Sequence, residues 1–304
     1  MDTIDGMRTF AAVAAEGSFT RAAERLDMSP QLASKYVGQL EARLGVRLLN
    51  RSTRQLSLTE AGRAYYDRVR QVLADIDDME NAVGDMTARA RGTLRINAPM
   101  SFGHRHLARA VAEYQDVQPE VEVEMNLNDR VVDIVSEGFD LAIRIGRLAE
   151  SSLVARSLAP VRLVVCASPE YFELRGTPRT PEQLADHDCL RYAYSADYDR
   201  WHFERHGRRH SVRVRGTYSA NNGDALRVAA LAGRGIVLQP TFIVGDDIRD
   251  GRLRTVLDDY RVAELSVHAV YAHRQYLSAK VRTFVDFLAD YFGSPPYWDG
   301  PGPG

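Results

Sequence analysis

Through about residue 91 the apolar positions recur every three or four residues; from Thr93 onward they alternate, so the chain divides into a helical front and an α/β body. The front opens with an apolar face of Ile4, Met7, Phe10, Ala11 and Ala14, ended by Gly17. A second helix starts at Ser18 as N-cap and turns Ala22, Ala23 and Leu26 inward. A third starts at Ser29 with Pro30 in its first position, buries Leu32, Val37, Leu40 and Leu44, and stops at Gly45. The stretch 46–58 alternates weakly and predicts a two-stranded wing. Next comes a narrow stripe, Tyr65, Val69, Val72, Ile76, Met79, Val83 and Met86, in steps of four and three. A 3.5-residue repeat is the seam of a coiled coil, so a second copy of the chain is the expected partner. A helix over 59–89 would be about 45 Å long at roughly 1.5 Å per residue.

In the body, Leu94, Ile96 and Ala98 predict a strand, 102–118 a helix, 121–127 a strand, 131–137 a helix closed by Gly138, and 141–145 a strand. A second block runs from the strand at 162–167 through a helix start at Thr180-Pro181 and a hairpin with strands at 201–205 and 211–215. A helix at 224–232 and a strand at 236–238 follow, and a strand at 265–272 and a helix at 278–292 finish the chain. Repeated strand–helix–strand units call for a parallel sheet covered by helices. The fold class expected is a multidomain α+β chain, and its 304 residues exceed one ordinary core.

Charge sharpens the picture. The net charge of −2 conceals a basic stretch, residues 29–63, with six Lys/Arg against two Asp/Glu, followed by an acidic one that holds Asp75, Asp77, Asp78, Glu80 and Asp85. Two short helices joined tightly at Asp27-Met28 form a helix-turn-helix, whose second helix enters a DNA major groove N-terminus first. Opposite its apolar stripe lie Pro30, Gln31, Ser34 and Lys35. Gln31 has the geometry to read adenine, Lys35 to donate to guanine, and Pro30 to touch a thymine methyl. Arg51, Thr53 and Arg54 at the wing tip suit phosphates or a minor groove. The plain alternative is that these polar residues are only a solvated helix face.

Five segments carry a resemblance. Phe10-Ala-Ala-Val, Gly17-Ser-Phe-Thr-Arg-Ala-Ala, Ala33-Ser-Lys, Leu40-Glu-Ala-Arg-Leu-Gly-Val-Arg-Leu-Leu-Asn-Arg and Leu58-Thr-Glu-Ala-Gly resemble the N-terminal signature of LysR-type transcriptional regulators. The resemblance implies a winged helix-turn-helix over 1–58, a linker and dimerisation helix over 59–91, and an effector domain over 92–293. That domain would have two periplasmic-binding-protein-like lobes, 92–161 plus 265–293 and 162–264. It also implies a homodimer, assembled further as a homotetramer, on a partly palindromic double-stranded operator. Separately, two cysteines without a disulfide framework and the lack of a signal-peptide pattern lead to the expectation of a cytoplasmic, reduced protein. Lys35 stands where many members carry arginine, which removes a bidentate fork at that position.

An effector would sit between the lobes, at strand ends and helix starts. Ser101 and Phe102, Asn128, Arg144 and Gly146, Ser168, and Asn221 with Asn222 are the expected contacts. Helix starts offer free N–H groups to an anion or a carbonyl oxygen, and Arg144 would neutralise a negative charge. The alternative for Ser101 and Asn222 is a simple cap, and for Arg144 a scaffold ion pair with Asp140 or Asp129.

Other chemistry is not expected. Cys166 lies in an apolar strand, and His187-Asp188-Cys189 shows no more than adjacency along the chain. His202, His206 and His210 would align on a helix, but their segment alternates about Gly207, so they should not converge on a metal. His104 and His106 read as solvated helix residues. There is no phosphate-binding glycine loop or nucleophile elbow, which points to a non-enzyme without a cofactor. No apolar run approaches membrane-spanning length and no signal peptide stands at the start, so no membrane role is expected. A different class stays open at this point, a small-molecule binding or catalytic α/β protein whose head serves protein association. The tail 294–304, rich in Pro and Gly, is expected to be disordered.

Overall fold

The computed structural model describes residues 2–51, 56–84, 89–147, 153–195, 197–272 and 277–300, with the backbone alone at Arg51, Gln71, 74–75 and 77–84. It contains two compact units, Met1–Ala88 and Arg89–Gly304.

In the first unit, α1 (Thr3–Glu16), α2 (Phe19–Arg25) and α3 (Pro30–Leu44) are set by local chemistry. Ser18 and Ser29 accept hydrogen bonds from the Arg21 and Leu32 amides, and α1 and α3 end at Gly17 and Gly45 in the left-handed region. The helices enclose Phe10, Val13, Ala22, Val37 and Leu40, with Leu48 and Leu49 from the chain that follows. β1 (Leu49–Arg51) and β2 (Leu56–Leu58) pair antiparallel as the wing, and α4 (Glu60–Gly84) leads away from it.

The stripe on α4 divides. Tyr65 packs on Phe10, with ring centroids 5.7 Å apart, and Val69 is buried, so both close the core of their own head. Val72 is the first exposed position and Ile76 is half-buried. The side chains of Met79 and Val83, and all of Met86, lie outside the described residues. A seam for a second chain would therefore begin at Val72, later than the sequence pattern suggests.

The second unit holds two five-stranded sheets and a separate two-stranded hairpin among the described residues. β3 (Gly92–Ala98), β4 (Val121–Leu127), β5 (Leu141–Gly146), β6 (Val154–Val161) and, from the end of the chain, a strand at Leu265–Tyr271 form the first lobe. Its helices are α5 (Met100–Phe102), continued through a π-turn at Gly103–Leu107 into α6 (Ala108–Val117), and a last helix at Ala279–Phe292. The second lobe holds β7 (Leu163–Ala167), α7 (Pro169–Arg175), a 3-10 turn at Pro181–Asp186, β8 (Cys189–Tyr192), and the hairpin β9 (Arg200–Arg205) and β10 (Arg208–Arg213). β11 (Ser219–Ala220), α8 (Gly223–Leu231), β12 (Ile236–Pro240), α9 (Thr241–Arg249) and β13 (Arg254–Val256) complete it. The strand and helix at the end of the chain are then β14 and α10. Strand order is β4-β3-β5-β14-β6 in the first lobe and β11-β8-β12-β7-β13 in the second.

Neither sheet is purely parallel. β3 runs parallel to β4 and β5, whereas β14 is antiparallel to both β5 and β6. In the second lobe β12 is parallel to β8 and antiparallel to β7. The chain leaves the first lobe along β6, which runs with β5, and re-enters along β14 between them, so β14 opposes both neighbours; in the second lobe β7, the first strand after the crossing, opposes β12 and β13.

Two expectations are corrected. Residues 131–137 are a hydrogen-bonded turn and not a helix. Asp133 Oδ1 accepts from the Val135 and Ser136 amides, Val131 and Val135 face solvent, and four β-branched residues in so short a run disfavour helix propagation. Nor is the tail disordered over 294–300. It forms a 3-10 turn at Tyr297–Asp299 and buries Trp298 against Phe102, Phe292 and Phe242. Residues 301–304 lie outside the described residues.

Candidate nucleic-acid interface and inter-lobe cleft

In the head, the first turn of α3 presents Pro30, Gln31 and Lys35 to solvent, with Ser34 half-buried beside them. Glu41, later on α3, reaches back to the wing, where its Oε1 accepts from the amides of Leu48 at 2.8 Å and Leu49 at 3.1 Å. A carboxylate shared by two backbone donors fixes where β1 leaves the helix. The start of α4 is fastened to the same point. Thr59 donates its amide to the Leu48 carbonyl at 3.0 Å, while its Oγ1 accepts from the Gly62 amide at 2.8 Å and donates to the Arg47 carbonyl at 2.8 Å. Recognition helix, wing base and linker helix thus share one anchor. Thr53 and Arg54, and the side chain of Arg51, lie outside the described residues. Arg47, exposed at the wing base, was missed by the sequence reading, although it belongs to the same basic run.

In the second unit a cleft of about 1940 Å³ opens between the lobes. It lies at the carboxyl ends of β3, β4 and β5, where open α/β sheets bind ligands. Arg144 donates to Asn97 Oδ1 at 2.7 Å and to the Val132 carbonyl at 3.3 Å. Buried Asn97 donates to the Asn126 carbonyl, and Asn128 donates to Asn126 Oδ1 at 2.7 Å. The Asn128 Oδ1 is buried with no donor among the described residues. Burial pulls the Arg144 guanidinium below its ordinary value, and the Glu137 charge opposes that. Arginine nonetheless stays charged. The scaffold ion pair with Asp140 or Asp129 does not form, because Asp140 takes the Arg95 amide and the Lys280 ammonium, and Asp129 takes the Met100 amide. Every hydrogen-bond acceptor of Arg144 is a neutral oxygen, so a half-buried cation lines the cleft without a carboxylate bonded to it among the described residues.

Across the cleft, Asn222 caps α8 by accepting from the Ala225 amide at 3.1 Å. Its Nδ2 reaches Ser101 Oγ and Asp129 Oδ2, each at 3.4 Å, so one side chain bridges the lobes. Ser101 is buried in the second position of its helix and does not cap it. Burial alone would raise the Asp224 carboxyl, but hydrogen bonds from Arg105 and Ser101 outweigh it and leave the carboxyl below its ordinary value. Asn221 is exposed and donates to the Tyr194 hydroxyl. Gly146 lines the cleft at the end of β5, and Phe102 lies beneath it in the core.

Ser168 is elsewhere. It caps α7 through the Tyr171 amide at the far end of β7, whereas Leu163, Val164 and Val165 at the near end line the cleft. Gln239 was missed. Its amide is only 2% exposed, lines the cleft, and makes no side-chain hydrogen bond among the described residues. A Cβ on Gly223 would run into the Ile243 side chain and stand 3.2 Å from Gln239 Oε1 and 3.5 Å from Ser101 Oγ, so the missing side chain there lets the start of α8 pack closely against α9 and the first lobe. The only sequence signal for Gln239 was a lone polar residue inside an apolar strand.

The remaining polar residues have structural partners. His106 is buried, correcting the solvated reading, while His104 is exposed. The His106 Nε2–H donates to the Phe242 carbonyl at 3.0 Å, which leaves its Nδ1 to accept from the Tyr297 hydroxyl at 2.7 Å. His202 and His210 sit on the hairpin and bind Asp197 and Glu182 separately. Burial pushes the Cys166 and Cys189 thiols up to about 12, far from a reactive thiolate.

Comparison with known proteins matches both units. Residues 4–63 fit the model for bacterial regulatory helix-turn-helix proteins of the lysR family, and residues 87–293 the LysR substrate binding domain. An HTH-type transcriptional regulator of Escherichia coli, DmlR, is 35% identical over 95% of this chain and 94% of its own. An uncharacterised HTH-type regulator of Haemophilus influenzae is 36% identical over 92% of this chain and 98% of its own. The structure of CrgA, a LysR-type transcriptional regulator from Neisseria meningitidis, superposes with a TM-score of 0.61 at 32% identity, covering 94% of this chain and 97% of that one. A helix-turn-helix head with an exposed reading face and a two-lobed body with a polar cleft are the two parts such a regulator requires, and the chain belongs to the LysR family of DNA-binding transcriptional regulators.

Proposed function

We propose that this regulator reads a partly palindromic operator through Gln31, Lys35, Pro30 and Ser34 of each α3, with Arg51, Thr53 and Arg54 on the flanking backbone. The observation that carries this reading is the solvent-facing first turn of α3, fixed to the wing by Glu41. Two copies pair through α4 from Val72 onward, and pairs assemble as a tetramer in the cytoplasm. Among the described residues no helix is long and apolar enough to cross a membrane.

The effector binds between the lobes and carries an anionic or carbonyl oxygen. Support comes from the Arg144 guanidinium, which has only neutral acceptors, and from Gly223 at the first turn of α8, which lines the cleft. Ligand control requires that the effector favour one lobe arrangement over another.

A salt-titrated DNA-binding series tests the head. Arg51→Ala or Arg54→Ala should weaken binding to all sequences and lower the salt slope by about one. Gln31→Ala should instead relax preference at one base pair, by about 1–3 kcal/mol. The reverse pattern would sink these assignments.

A further inference from the structure

The family match over the body ends at residue 293, yet the chain continues in ordered form to residue 300. Those last residues touch both lobes. The Trp298 indole stands 5.7 Å from Phe102 and 5.4 Å from Phe292, which belong to the first lobe, and 6.3 Å from Phe242 on α9 of the second. Tyr297 gives its hydroxyl to His106 of the first lobe, and His106 itself donates to the Phe242 carbonyl of the second. Arg249, also on α9, donates to the Trp298 carbonyl at 3.3 Å. Arg162, at the crossing into the second lobe, lies 3.8 Å from the Asp299 carboxylate, and Asp299 stands on the cleft wall.

We propose that residues 294–300 form a clasp across the two lobes that sets how far the cleft is closed, with Trp298 as its catch. The seat is built to hold and to release. Burial of the indole edge-on to Phe102 and Phe242 holds it. Two polar atoms count against it: Trp298 Nε1 is buried without a hydrogen-bond partner among the described residues, and Asp299 Oδ1 makes no hydrogen bond there and has only the Arg162 guanidinium 3.8 Å away. Both would regain water when the segment lifts, so the bound state gains little beyond apolar contact. A plug meant only to fill the core would not strand two polar atoms and tie its backbone to the opposite lobe. Because Asp299 and Arg162 both line the cleft, any shift of the clasp also reshapes the space offered to a ligand.

The test measures inter-lobe distance in the full-length protein, with labelled chain diluted into a large excess of unlabelled chain so that only distances within one subunit are read. Spin labels go on Val117→Cys, at the exposed end of α6, and on Leu174→Cys, exposed on α7. The native cysteines are buried and stay unlabelled. Pulsed electron resonance should give one narrow distance distribution with the tail intact. Trp298→Ala, and a chain ending at Gly293, should broaden it and add a longer component, with Trp298→Phe between the two. A lowered melting temperature with an unchanged distribution would mean that Trp298 merely fills the core, and would overturn the clasp. If the shortened chain loses its fold, the comparison of Trp298→Phe with Trp298→Ala decides by the same criterion.

Discussion

Gly62 stands in the first turn of α4, pressed against the wing. A Cβ there would fall on the Leu48 carbonyl oxygen, well inside contact distance, and 2.8 Å from the Leu48 carbonyl carbon. Gly62→Ala sets two effects against each other. Helix propensity favours alanine by about 1 kcal/mol. Overpacking costs about 1–3 kcal/mol, and the obstacle here is backbone, which cannot rotate away. Moving α4 also strains the Thr59 amide bond to Leu48 and the Thr59 cap on Gly62, each worth about 1 kcal/mol. The net expectation is a loss of about 3 kcal/mol. Because the chain has two units, a single unfolding midpoint would mix them, so amide hydrogen exchange in the full-length protein is the right assay. The Leu48 and Leu49 amides, held by Glu41, should lose protection by about two orders of magnitude. DNA affinity should fall with them, since wing and recognition helix share that anchor. Unchanged or increased protection would mean that propensity outweighs the clash, and the close approach argued for α4 and the wing would be refuted.

Two further outcomes are expected from the body. Asp247 on α9 is fully buried and accepts from Arg227 at 2.7 Å, with Arg252 2.9 Å away. Asp247→Ala leaves the largely buried Arg227 charge unpaired and should destabilise the body by about 3–5 kcal/mol, read from hydrogen exchange of its slowest amides; a cost near zero would show that the pair is solvated. Burial holds the His106 imidazole below its ordinary value of 6.5, with the Phe242 carbonyl opposing that shift. The unfolded chain therefore takes up the proton first as pH falls. Stability from this site is full above pH 6.5 and is lost as pH drops through the lower folded value. His106→Gln should flatten the dependence of amide protection in the body on pH below 6.5, and an unaltered slope would assign it to other groups.

The head was readable because its signals are local. Ser18, Ser29, Gly17 and Gly45 act on amides and turns within a few residues, and each sits where the pattern placed it. Periodicity could say that Tyr65 and Val69 are buried, but not against what, since packing on Phe10 and pairing with another helix leave the same trace. Residues 131–137 have a helical pattern of apolar residues, yet the Asp133 turn and an exposed Val131 decided otherwise. The tail misled by composition: Pro and Gly dominate it, while one tryptophan placed over Phe102 supplies its order. In the cleft, residue types at strand ends pointed to Arg144 and Asn128; Asn128 turns back onto Asn126 of the strand it follows, but Arg144 takes its partner Asn97 from another. Asn97 and Gln239 carry no motif, and only the fold sets Asn97 against Arg144 and brings Gln239 to the cleft wall.

The crossing of the chain between lobes has a modular consequence. Residues 162–264 are one uninterrupted insert, and the residues that flank it, Val161 and Leu265, are paired neighbours on β6 and β14. A short turn could join them without disturbing the first sheet. Recombination of this single segment would thus replace one wall of the cleft while leaving intact the lobe through which the chain continues from α4. New ligand preferences can then arise by cassette exchange, with the route from the DNA-reading head into the body untouched.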